Sequence, residues 1–294
     1  MPSKRYRRAS VAYLVYTVAV ILWGALVRAT LSGDGCGDHW PLCNGEVVPL
    51  APSIETMIEL THRVTSGLVW IIALAFWIVA RRMDDPLVKR GAFWSFFFMT
   101  TEALVGAGLV LFKMVADNPD TARGYWAAAH LTNTLLLLAA LTLHTYWAHG
   151  GPAVRFQRRA WVFVAVLVGW ILLGASGAIA ALGDTLFPSS SLAEGVAADF
   201  SASSHLFLRL RTFHPILALG VGAGTLYLIG KEMSTQRRLA IGVAALLVTQ
   251  VGLGFLNVLL LAPIWLQLVH LLVADVLWVG LCWLASVSLS PARA

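Results

Sequence analysis

Apolar residues in this chain run in blocks that are longer than a soluble helix needs and lack a continuous polar face. Eight such blocks of roughly 20 residues fall at about 11–31, 57–80, 93–112, 125–147, 160–182, 208–230, 239–261 and 264–287. Each is long enough to cross the hydrocarbon core of a bilayer as a helix. The pattern predicts an all-α membrane protein of eight transmembrane helices. The first block follows Lys4, Arg5, Arg7 and Arg8, as the core of a signal sequence would, but it is long and has no convincing small-residue cleavage site, so it reads as a retained helix.

The polar stretches between the blocks set the orientation. Of twenty-one Lys and Arg residues, fifteen fall at the N-terminus, at Arg81, Arg82, Lys89 and Arg90, at Arg155, Arg158 and Arg159, at Lys231, Arg237 and Arg238, and at Arg293. Arg28, Arg63, Lys113, Arg123, Arg209 and Arg211 lie at the opposite ends. An excess of positive charge marks the cytoplasmic side, which puts both termini in the cytoplasm and makes even-numbered helices run inward. The outer connections at 32–56 and 183–207 are long, and each follows the first helix of a half.

That regularity extends to the residues. Gly24-Ala25 with Gly33-Asp34 matches Gly174-Ala175 with Gly183-Asp184, His62 matches His214, Gly106-Ala107-Gly108 matches Gly252-Leu253-Gly254, and the stretch from Tyr125 to His130 matches Trp265 to His270. The expected architecture is two pseudo-symmetric four-helix bundles, residues 1–150 and 151–294, arranged as parallel repeats are. Glycines in the odd-numbered helices would let neighbouring helices approach closely.

Composition sharpens this picture: 59% of residues are hydrophobic and 12% charged, about half the charged share of a soluble domain. The net charge of +6 is spread over short clusters between spans, which excludes nucleic acid as the partner. Among eight histidines, His62, His130, His214 and His270 stand at equivalent points, roughly 10 Å in from the outer ends of the four even-numbered helices. Facing helices of a bundle build cofactor sites in their core, and haem iron takes axial imidazole. Four imidazoles at one depth, two per half, point to two bis-histidine haem sites. His144 and His149, at the cytoplasmic end of the fourth span, read as solvated or interfacial, and His39 and His205 as loop residues.

The stretch Glu59-Leu-Thr-His62-Arg63 concentrates chemistry at the mouth of the second span. Ionisable groups there are costly and suggest function. Glu59 and His62 share a helix face, so Glu59 is a candidate general base or a hydrogen-bonding partner of His62. Arg63 and Arg211, and less strongly Arg209, are candidate partners for haem propionates. Snorkelling to the interface is the alternative. Cys36 and Cys43 share one exposed outer loop, where thiols oxidise readily. A disulfide is expected; a metal site of Cys36, His39 and Cys43 competes with it but lacks a fourth ligand. Cys282 reads as a packing residue.

The run Cys36-Gly-Asp-His-Trp-Pro-Leu-Cys-Asn-Gly45, then Glu59-Leu-Thr-His-Arg63, and the later helix histidines, including Phe213-His214-Pro215, resemble the haem A synthase family. The resemblance covers nearly the whole chain. It implies oxidation of the C8 methyl of haem O to the formyl group of haem A by successive hydroxylations, for haem-copper terminal oxidases. By the same resemblance His62 and His130 receive the substrate haem O, His214 and His270 hold a haem b cofactor, and Glu59 is the catalytic glutamate. The family's frequent second cysteine pair is missing from 183–207. A di-haem b-type membrane cytochrome carrying electrons from quinol is the alternative; it gives Glu59 less to do. The expected setting is a prokaryotic plasma membrane, since no mitochondrial-type leader is evident, with the haem sites near the outer face. Membrane lipid and haem O synthase, as supplier of substrate, are the expected partners, and a homo-oligomer is compatible with the pattern. The sequence does not identify the electron acceptor.

Overall fold

The computed structural model describes residues 2–291; Arg293, counted above with the cytoplasmic charges, lies outside the described residues. The elements are α1 (Lys4–Ala29), α2 (Ile54–Arg81), α3 (Pro86–Leu111), α4 (Thr121–Ala148), α5 (Ala160–Leu186), α6 (Leu192–Phe200), α7 (Leu206–Arg211), α8 (Phe213–Glu232), α9 (Arg237–Leu259) and α10 (Ile264–Ser288), with a 3-10 turn at Ser32–Asp34. With α7 and α8 counted as one span, eight helices among the described residues are long and apolar enough to cross a membrane, at the places the hydropathy predicts. The protein is an all-helical, multi-pass membrane protein.

Two features depart from the sequence reading. The short α6 occupies the second long connection, where no element is expected. The sixth span is also discontinuous: α7 stops at Arg211 and α8 begins at Phe213. Pro215 accounts for the break, because it has no N–H to return to the carbonyl of Arg211, four residues back. The interruption falls near the N-terminal end of the span, just ahead of His214, and not at its middle.

The helices close two rings. α1 packs on α2, α2 on α3, α3 on α4 and α4 on α1; α5, α8, α9 and α10 pack in the same cyclic order. Between the rings, α4 meets α5 and α10, and α1 meets α10. In lipid such contacts rest on close packing and hydrogen bonds more than on hydrophobic burial. At the centre, Trp278 of α10 donates to the Leu135 carbonyl of α4 at 2.7 Å. At the end that carries the two long loops, Arg28 of α1 donates to Ala181 O and Thr185 Oγ1 of α5, at 2.8 and 2.7 Å, and to Gln267 Oε1 of α10 at 2.8 Å.

The opposite end corrects one expectation. His144 is fully buried, not solvated: its Nε2 is 2.8 Å from the Tyr6 hydroxyl and its ring packs edge-on against Phe76. The turn of the helix points this residue at α1, and the hydroxyl pairs with Nε2, while the buried Nδ1 has no partner among the described residues. His149 stays half-buried and donates from Nδ1 to the Thr145 carbonyl at 2.8 Å.

Candidate functional site

The even-numbered spans open at Ile54, Thr121, Leu206 and Ile264, so His62, His130, His214 and His270 sit eight, nine, eight and six residues in. All four rings are half-buried. Each faces a glycine of the preceding odd-numbered span. A Cβ on Gly24 would come within 2.8 Å of His62 Cε1, one on Gly177 within 2.9 Å of His214 Cε1, one on Gly254 within 3.3 Å of His270 Cε1, and one on Gly106 within 3.9 Å of His130 Cε1. The matching positions are therefore Gly24 with Gly177 and Gly106 with Gly254, a register shifted by three and two residues from the sequence match. Gly174 instead admits Leu135 of α4. His62 lies within electrostatic reach of His130, and His270 within reach of His214.

The ring nitrogens are held differently. His214 Nδ1 is 3.2 Å from the Leu173 carbonyl and 3.1 Å from Ser176 Oγ. A carbonyl only accepts, so the proton sits on Nδ1 and the Nε2 lone pair is free. His130 Nδ1 stands 3.2 Å from Glu102 Oε1 of α3, within ion-pairing distance though off the line of a well-formed hydrogen bond. His270 Nε2 meets the Gln250 amide of α9 at 3.2 Å, and the buried Nδ1 atoms of His62 and His270 have no partner among the described residues. Glu102 and Gln250 are functional candidates that the sequence reading misses. Both stand four residues ahead of the glycine that faces a histidine, which is the signal that identifies them.

The first long loop folds down onto the N-terminal end of α2. Cys36 and Cys43 form a disulfide, which closes the alternative of a metal site there. Asn44 N–H donates to the Cys36 carbonyl, and Cys43 and Glu46 exchange both backbone hydrogen bonds. Gly35 has to be glycine because a Cβ would strike the Glu55 backbone at 2.5 Å. Glu59, 3% exposed, accepts from Cys36 N–H at 2.8 Å through Oε2 and from Arg63 Nε and Nη2 at 3.0 and 2.6 Å through Oε1. The remaining donors of Arg63 go to the carbonyls of Gly37, His39 and Leu42. Glu59 therefore does not bond His62; it bonds the loop. Outside the membrane spans, Lys113 at 3.4 Å holds the Asp38 carboxyl below its ordinary range.

The corresponding corner of the second ring reverses the arrangement. Arg211 occupies the position three residues before the histidine, and its carboxylate partners come from elsewhere: Asp184 at 2.7 Å from the end of α5 and Asp199 at 2.6 Å from α6. Arg209 is exposed. His205 caps α7 by accepting from Phe207 N–H and stacks on Phe187, while His39 is exposed beside Asp38. Cys282 is buried and unpaired, as expected of a packing residue.

Two imidazoles per ring, each beside a glycine, are the donor set that haem iron takes. The room that a side chain would fill lies against the rings themselves. Among the described residues, no cluster of three His, Cys, Asp or Glu side chains gathers to bind a free metal ion.

The chain is similar to known proteins along most of its length. A protein of Thermus thermophilus called protoheme IX farnesyltransferase is 44% identical over 286 residues, covering 94% of this chain and 47% of the relative. The chain thus spans about half the length of that relative. Proteins called heme A synthase from Exiguobacterium sibiricum and Alkalihalophilus pseudofirmus are each 44% identical, over 105 and 111 residues, or 35% and 37% of both chains. The family model described as cytochrome oxidase assembly protein, COX15-CtaA, matches residues 7–282, from within the first span into the last. With that match running through every helix that bears one of the four histidines, the chain belongs to the COX15-CtaA family of cytochrome oxidase assembly proteins.

Proposed function

We propose that this chain is a haem A synthase that converts the C8 methyl of haem O to a formyl group by successive hydroxylations. The observation that carries the reading is the set of four helix histidines, each opposite a glycine, inside a family match that runs through all eight spans. His62 and His130 hold the substrate haem O within residues 1–150; His214 and His270 hold haem b within residues 151–294. Bound there, haem b would supply one-electron chemistry. The two halves form a pseudo-symmetric pair whose haem sites face the outer side of a prokaryotic plasma membrane, with both termini in the cytoplasm.

Binding and orientation fall to the protein. Glu59 is the residue placed to accept a proton at the outer edge of the first site. Its two oxygens also tie the Cys36–Cys43 loop to α2, so proton acceptance is coupled to the seating of that loop. Arg63 and Arg211 contact propionates by exchanging one protein oxygen for a propionate oxygen. Bidentate guanidinium contacts favour such an acceptor. A farnesyl transfer to protohaem makes the substrate, and the Thermus relative that carries this name contains a segment matching nearly all of this chain. Haem O synthase is thus the partner that hands over haem O.

The test is to express the chain in membranes supplied with haem O and to identify the extracted haems by mass. Conversion to haem A is expected. Glu59→Ala should bind haem yet accumulate haem O or its hydroxylated form. A Glu59→Ala protein that keeps its spectrum and electron flow, in a chain that never alters haem O, identifies the di-haem cytochrome instead. Farnesylated haem formed from protohaem and farnesyl diphosphate transfers the Thermus name to this chain.

A further inference from the structure

We infer that Glu102 is a positioning residue for His130, and that the exchange of glutamate at 102 for glutamine at 250 makes the two imidazole pairs electrostatically unequal. The inference rests on the reading above, in which His130 is an axial ligand.

Glu102 lies inside a transmembrane helix, where a carboxylate is expensive and calls for a partner. It has no Lys or Arg partner among the described residues; the ring of His130 is its one ion-pair contact there. The carboxylate is oriented from two other directions. Thr134, one turn beyond His130 on α4, donates its hydroxyl to Oε1, and Asn133 donates its amide to Oε2 at 2.6 Å. Asn133 is itself fixed, donating to the Phe98 carbonyl at 2.9 Å and accepting from the Thr101 hydroxyl at 2.7 Å. A network built this closely around one oxygen pair holds it beside Nδ1, at 3.2 Å. A negative charge there favours a proton on Nδ1, which leaves the Nε2 lone pair for the ligand site.

The second ring supplies the control. Gln250 precedes Gly254 by four residues, as Glu102 precedes Gly106, and each of the two side chains meets the histidine that its glycine faces. The position on the helix is the same and the charge differs, although the amide stands at Nε2 of its ring where the carboxylate stands at Nδ1. A carboxylate against the N–H of a ligating imidazole strengthens that imidazole as a donor and favours the ferric over the ferrous state. A neutral amide has no such effect.

The experiment uses the full chain in nanodiscs, reconstituted with protohaem, with Glu102→Gln, Glu102→Asp and Gln250→Glu variants. Haem per chain is measured, and each haem's midpoint potential is followed by spectroelectrochemistry. Glu102→Gln should keep its haem and shift the ferric/ferrous ratio of one haem about tenfold toward ferrous, about 59 mV for a one-electron couple. Glu102→Asp should return most of that shift, and Gln250→Glu should lower the other haem. Unchanged potentials in Glu102→Gln overturn the inference. So does loss of haem in Glu102→Gln that Glu102→Asp fails to restore, since that marks a purely structural role. If His130→Ala leaves haem content and spectra as in the wild type, the ligand assignment itself has failed, which is a separate and visible result.

Discussion

The first ring of helices sets a carboxylate against one of its histidines, and the second has only neutral groups in hydrogen-bonding contact with its own. Near His62 and His130 stand Glu59 with Arg63, a covalently closed loop, and Glu102. Near His214 and His270 stand a backbone carbonyl, a serine and a glutamine, and the charged Arg211 looks away to α5 and α6. Helix capping follows the same division. Ser3, Ser53, Asp85 and Asp120 each accept a backbone N–H at the start of α1 to α4, whereas α5, α9 and α10 have no side-chain cap. The same topology is thus built twice, once with side chains that can take part in proton chemistry and once with groups that only hold a ring in place. A site that transforms its haem needs the first; a site that retains its haem needs the second.

The strongest way to break this comparison is to remove ligands. His62→Ala or His130→Ala should abolish conversion of haem O and remove one haem while the other keeps its spectrum; His214→Ala or His270→Ala should remove the other. Loss of both haems from any single variant would show that the rings do not act separately.

Next comes the buried ion pair. Side-chain exposures of 9% for Arg63 and 4% for Glu59 mean that Arg63→Ala strands a carboxylate, at a cost of about 3–5 kcal/mol. Arg211→Ala exposes partners already 27% and 16% open, so a loss nearer 1 kcal/mol is expected. Thermal unfolding in detergent measures both, and equal losses would erase the contrast. Cys36→Ser should cost about 2.5 kcal/mol through the entropy of an opened loop and should slow haem O conversion without altering the second haem's spectrum.

The glycines give a graded series. Gly24→Ala and Gly177→Ala, whose Cβ atoms would press on a ring at 2.8 and 2.9 Å, should weaken haem retention by about 1–3 kcal/mol. Gly106→Ala, at 3.9 Å, is in ordinary contact and should change retention little. Haem titration of the purified variants reads the order. The smallest effect belongs to Lys113→Ala. Its partner Asp38 has a lowered pKa, so the pair helps only above the carboxyl's unfolded value and fades as pH falls through the folded one. On a fully solvated surface, no change in Tm should be measurable at neutral pH.

Hydropathy makes the eight spans legible because a bilayer imposes one length on every crossing. The disulfide is legible because two cysteines share a short loop, and the four histidines because they recur. Glu102 escapes notice inside an apolar run, since the eye meets one acid among many hydrophobes; the repeat finds it only with the register that places Gly106 opposite Gly254. The break at Thr212 follows from Pro215 but is masked by uniform hydropathy. His144 misleads because closeness to a helix end suggests exposure, and only the packing of Tyr6 shows otherwise. The acceptors of Arg63 are unreadable, since they depend on how a loop folds back.

Arg28 has a consequence for biogenesis. Its guanidinium sits on the first of the eight spans, yet two of its acceptors belong to the fifth span and one to the eighth. Until the eighth span has been made, that cation lacks at least one of these acceptors and stays free to reach the headgroups. The first span therefore locks into its final seat only when the eighth arrives, so these two helices fasten each other across all the chain between them.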